Sequence, residues 1–104
     1  MLTGGTLVAL FQTKEGATQA QVDVFMKTAK AMAGQIPGLL AVETGKAIDI
    51  TKQFNQGYEW GLVLTFENVQ VIGPYLDHPA HKPLYPLCEV AFDVQSMLLF
   101  DFEF

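Results

Sequence analysis

Hydrophobic residues recur along this chain with two different periods, and the switches between them outline the elements. Gly5–Thr13 (GTLVALFQT) is rich in β-favouring residues and carries apolar side chains on both faces, which predicts a first strand. TKEGAT breaks it. From Thr18 the period lengthens: Val22, Phe25, Met26, Ala29, Met32 and Ala33 fall on one helical stripe, while Asp23, Lys27 and Lys30 lie on the wet side. Thr18 followed by Gln21 has the spacing of a capping box. Gly34 and Pro37-Gly38 are the expected stop.

Leu39–Ile48 reads as an extended segment, followed by a polar loop (DITKQFNQG). Tyr58–Glu67 alternates most clearly. Tyr58, Trp60, Leu62, Leu64 and Phe66 face one way, and Glu59, Gly61, Val63, Thr65 and Glu67 the other. Asn68–Leu76 predicts a short helix ending near Asp77, and Pro79 to about Ala91 a second, proline-interrupted one. Gln95–Phe104 closes as a strand. The order β-α-β-β-α-β is that of an α+β, ferredoxin-like fold.

Several strands are apolar on both faces: Leu7 and Ala9 against Val8 and Leu10, Met97 and Leu99 against Leu98 and Phe100. Such a sheet must be covered on both sides, and two helices cover only one. The expected cover for the other is a second copy of the chain, a homodimer with its sheets face to face.

Composition narrows the function. At 104 residues one domain is expected. The net charge is −5 and the six basic residues are all lysine, so the cationic stripe of a nucleic-acid binder is missing. Without arginine there is no bidentate clamp for phosphate or carboxylate. Apolar runs are too short to span a membrane, and the N-terminus reads as a strand rather than a signal peptide. One cysteine, Cys88, allows no internal disulfide, so a cytoplasmic location is expected. Cys88 itself lacks a neighbouring base or cation and reads as a small buried hydrophobe.

The only histidines, His78 and His81, stand in DHPAHKP. His78 precedes Pro79 and is biased towards extended backbone, which suits a helix-start cap. The pair has a poor spacing for chelation and no third ligand cluster nearby, so no metal site is expected. His81 is either a general base acting at neutral pH or a helix-start histidine bonded locally. Trp60 is either a pocket wall or core, and Phe25 and Met26 share that ambiguity. Asp101 and Glu103 alternate with phenylalanines and read as rim charges.

The block GYEWGLVLTFENVQVIGPYLDHPAHKPL, followed by LLFDFEF, resembles the stress-responsive dimeric α/β-barrel (Dabb) family. That family's hallmark is a strand ending in TFE, a short helix, an HPxH element and a last strand ending near a D-[FY] pair. LVALF, IPGL and TGKAIDIT extend the likeness over nearly the whole chain. The resemblance implies a dimeric ferredoxin-like barrel. From its polyketide-cyclase members it also implies an intramolecular aldol condensation run without metal or organic cofactor. The histidine and tyrosine those members use match His81 and Tyr75. Two further pocket histidines match Gly5 and Trp60 instead, and a pocket tyrosine matches Ala29, which implies a reshaped cavity.

Two functions follow as expectations. One is a cofactor-free enzyme acting on a small, apolar carbonyl compound, with His81 as base, Tyr75 as polariser, and Trp60, Phe25 and Met26 shaping the pocket. The other is a non-catalytic dimer with a stress-related role or one that binds a hydrophobic ligand. Whether His81 and Tyr75 share a cavity separates them.

Overall fold

The computed structural model describes residues 3–104. Strand β1 (Gly5–Phe11) is paired along both edges, antiparallel to β3 (Trp60–Phe66) and to β4 (Leu98–Glu103). Strand β2 (Leu39–Lys46) completes a four-stranded sheet of order β2-β3-β1-β4. This is the ferredoxin-like arrangement that the element order predicts. Period-two alternation decides what each strand buries. Leu7, Ala9 and Phe11 of β1, with Leu62, Leu64 and Phe66 of β3, enter the core, while Val8, Leu10 and Val63 turn to the other face.

Helix α1 (Gln19–Lys30) begins as its sequence dictates. The Thr18 hydroxyl accepts from the Gln21 N–H at 3.2 Å, and the Gln21 side chain accepts from the Thr18 N–H at 2.8 Å. Its buried stripe is Val22, Phe25, Met26 and Ala29. The helix ends earlier than Gly34, because the chain tightens into three-residue turns: Met32 N–H bonds Ala29, and Ala33 N–H bonds Lys30. Met32 still reaches the core, but Ala33 is thrown outward. Gly38 is required by its surroundings. Its φ is +86°, and a Cβ there would come within 2.6 Å of Val71.

In β2 a bulge at Leu39/Ala41 leaves Leu40 exposed. The segment read as a polar loop contains a 3₁₀ helix at Asp49–Phe54. After β3, a 3₁₀ turn (Val69–Val71) leads into α2 (Ile72–Asp77). Helix α3 covers Leu84–Ala91 only. The proline-interrupted stretch expected from Pro79 is therefore helical only from Leu84. Residues 79–83 form turns in which His81 N–H bonds His78 and Leu84 N–H bonds His81. Pro83 immediately precedes α3, where a missing N–H costs nothing. Pro74 and Pro86 each sit in a first helical turn for the same reason.

The three α-helices cover one face. Buried residues of α1, α2 and α3 form one cluster with the inward residues of β1 and β3, tied off by Phe92 stacked on Phe11 at 4.5 Å between centroids. The opposite face is bare: Leu98, Phe100 and Phe102 of β4 stand on it, with Phe100 60% exposed. Among the described residues no helix is long and apolar enough to cross a membrane. Replacing Thr18 by Ala removes the hydroxyl that accepts from the Gln21 N–H and leaves only the backbone half of the capping box. It should lower the unfolding free energy by about 1 kcal/mol, read as a shifted denaturant midpoint at constant slope.

Candidate active site

Between the sheet and the helices, beside β4, lies a cavity of about 140 Å³. Its floor is Leu7, Ala9 and Leu62 of the sheet, and Phe25 closes it from α1. Helix α2 contributes Tyr75, the following turn His81, and α3 Tyr85 and Cys88. Met97 and Leu99 complete the β4 side. The volume is close to that of a cavity that holds one benzene ring (on the order of 150 Å³).

His81 and Tyr75 meet there. Their ring centroids are 4.4 Å apart with planes tilted by 50°, and both side chains are buried. Tyr75 also stands edge-on to Phe66 at 5.2 Å, which holds its ring against the core. Tyr85 meets His81 edge-on at 4.9 Å, so the imidazole is packed against two phenols. The His81 Nδ1 lies 3.1 Å from the Leu76 carbonyl oxygen. A carbonyl only accepts, so Nδ1 carries the proton of the neutral ring and Nε2 keeps its lone pair.

The electrostatics follow from burial. Desolvation lowers the His81 pKa below its ordinary value, with the Leu76 hydrogen bond opposing, so the ring is neutral at neutral pH. Desolvation pushes the Tyr75 phenol up, and the charges of Tyr85 and Asp101 add to it. Tyr75 therefore stays protonated and able to donate. Burial, then Glu89, raises the Cys88 thiol, leaving it an uncharged piece of wall.

Of the residues singled out from the sequence, Phe25, Tyr75 and His81 line this cavity. Met26 is buried in the core and does not line it. Trp60 lines a different hollow of about 560 Å³, with Leu10, Val63, Leu98, Tyr58 and Phe54, and Lys46 Nζ sits 5.8 Å over its ring. His78 ends α2 rather than starting a helix: its backbone is extended, and its Nδ1 accepts from the Ala80 N–H at 3.0 Å. Among the described residues no group of three or more His, Cys, Asp or Glu is placed to hold a metal ion. Gly5 is buried, and a Cβ there would stand 3.2 Å from the Val69 backbone, too close for a larger side chain unless Val69 moves.

Other features were not legible from spacing. Tyr85 lies four residues after His81, a weak signal that one helical turn joins them. The Leu76 carbonyl has no sequence signature at all. Asp101, read as a rim charge, pairs with Leu7 across β1–β4, on the helix-facing side of the strand. Partial burial raises its carboxyl pKa, and its charge reaches Tyr75.

The lowered His81 pKa fixes the sign of a stability effect. The unfolded chain takes up this proton near pH ~6.5 while the native ring does not, so stability falls as pH drops below that value and levels off below the native pKa. His81→Gln should flatten this part of the stability–pH curve relative to the parent, as measured by urea unfolding at a series of pH values.

Comparison with known proteins agrees with this architecture. A curated relative, olivetolic acid cyclase of Cannabis sativa, is 39% identical over 69 residues, which are 65% of this chain. The chain spans 66% of that enzyme's length, just under two thirds. A crystal structure of an Arabidopsis thaliana protein superposes with a TM-score of 0.82 at 24% identity, covering 94% of this chain and 92% of that one. A dimeric ferredoxin-like protein from Jannaschia gives 0.83 at 19% identity, covering 97% and 99%. The family described as Stress responsive A/B Barrel Domain matches residues 8–104, and the chain belongs to it.

Proposed function

We propose that the His81 cavity is the site of a cofactor-free proton transfer on a small, apolar carbonyl compound. The observation that carries this reading is the hydrogen bond from His81 Nδ1 to the Leu76 carbonyl. It leaves Nε2 as the basic atom of a neutral imidazole, beside a phenol whose raised pKa keeps it a donor. Nε2 takes the proton α to the carbonyl, and Tyr75 donates a hydrogen bond to the enolate oxygen as charge develops there. The electron pair of the broken C–H bond moves into the enolate. It then attacks a second carbonyl of the same molecule, whose oxygen takes the proton back from Nε2, as in an aldol cyclisation, or takes that proton at another carbon, as in an isomerisation. No oxidant or electrophilic cofactor enters this balance. The likeness to olivetolic acid cyclase supports the class of chemistry. A cavity of about 140 Å³ favours a substrate near the size of one aromatic ring over a longer polyketide.

The assembly belongs to the same reading. Leu98, Phe100 and Phe102, with Val8, Leu10 and Val63, form an apolar face that no α-helix covers. A second copy joined sheet to sheet would bury it, and the dimeric Jannaschia neighbour shares this fold. The remaining expectation, a cytoplasmic protein, goes with it.

Acetophenone in heavy water tests the chemistry. The protein should exchange its α protons above the buffer rate, His81→Ala should lower that rate by roughly 10²–10⁴-fold, and Tyr75→Phe by roughly 10²–10³-fold. A protein that binds the ketone yet leaves its α protons at the buffer rate is a carrier, the alternative function. For the assembly, sedimentation should give a dimer at micromolar concentration and a monomer for Phe100→Lys. A monomeric parent would sink the face-to-face dimer.

A further inference from the structure

The two histidines of DHPAHKP are joined through the backbone between them. Pro79 has no N–H and disfavours helical backbone at His78, so α2 must let go at Asp77. In a continuing helix the Leu76 carbonyl would be taken by the N–H of Ala80, four residues on. That N–H instead donates to the His78 ring at Nδ1, 3.0 Å away. The His78 carbonyl accepts from the His81 N–H at 2.9 Å and the Lys82 N–H at 3.2 Å, closing a tight turn. The Leu76 carbonyl is thus left to side chains: His81 Nδ1 at 3.1 Å and the Tyr85 hydroxyl at 3.3 Å.

We infer that His78 is a positioning residue for His81: by holding the Ala80 N–H on its ring and the His81 N–H on its carbonyl, it fixes the turn that sets His81 Nδ1 on the Leu76 carbonyl and leaves Nε2 bare. The catalytic meaning rests on the base role proposed above, but the coupling itself does not. Geometry alone gives it a signature. As an acceptor at Nδ1, His78 carries its proton on Nε2; as a donor at Nδ1, His81 carries its proton there. The chain's only two histidines hold opposite tautomers. A residue that merely filled space before Pro79 would have no bearing on the tautomer of another ring.

Long-range ¹H–¹⁵N spectra of the imidazoles, taken on the full chain at a pH above the ordinary imidazole range, read both tautomers directly. The parent should show the protonated nitrogen at Nε2 in His78 and at Nδ1 in His81. In His78→Ala the two His81 nitrogens should move towards each other as the second tautomer becomes populated. His78→Asn should restore the parent pattern, because an Asn carbonyl accepts from the N–H two residues on. His78→Gln sets its carbonyl one methylene too far and should behave like the alanine variant, taking its place if that one does not fold. The same tautomer on both rings of the parent, or an unchanged His81 in folded His78→Ala or His78→Gln, would overturn the coupling. Opposite tautomers without ketone exchange would strike out the base role and leave the coupling standing.

Discussion

A strand shows its two faces at every second residue, and the first and last strands of this sheet have apolar residues on both. That constraint organises the molecule. The helices can lie on one side only, so Leu7, Ala9, Phe11, Leu62, Leu64 and Phe66 become the core, and the other side keeps Phe100 and Phe102 in the open. The covering layer is thin, with α1 of twelve residues, α2 of six and α3 of eight. It fills the space over β3 and β1 but leaves a gap next to β4. The cavity is that gap, and its placement is a result of packing before it is a matter of chemistry.

What gives the gap its chemistry is one proline. A helix running unbroken from Ile72 would spend every carbonyl on its own N–H groups. Pro79 interrupts this, and the carbonyl it frees sits within reach of a buried imidazole. The ring is thereby given a fixed orientation by a group that cannot ionise or titrate. Tyr75 and Tyr85 pack against it, and burial keeps the ring neutral and keeps Tyr75 protonated. The apolar remainder of the cavity, from Phe25 to Leu99, suits a ligand with little charge.

Much of this was legible in the chain. Thr18 and Gln21 announced the start of α1 by chemistry that operates over three residues. The alternation from Tyr58 to Glu67 gave Leu62, Leu64 and Phe66 as core residues, because period two leaves no other choice within the strand. His81 and Tyr75 were marked by residue type and by resemblance to a family. The failures are of another kind. Ala33 and the break at Pro83 depend on how turns tighten, where several local solutions differ by little energy. Trp60 was placed with the cavity because its strand face was right, but it stands at the far end of that face, against Phe11 and Lys46. Asp101 could be assigned to the cavity's side only through the register of β4 on β1. The Leu76 carbonyl, identical in covalent structure to every other, was beyond reach of sequence reasoning.

Gly5 carries one more lesson. Its missing Cβ lets the Val69 backbone settle directly on the end of β1, at the position where the resemblance to polyketide cyclases implies a histidine. Grafting that histidine here would not simply add a functional group. It would also press on the 3₁₀ turn that leads into α2, where Val69 would have to give way. Positions 5 and 69 are therefore packed against each other, and any side chain at the first requires the backbone at the second to shift.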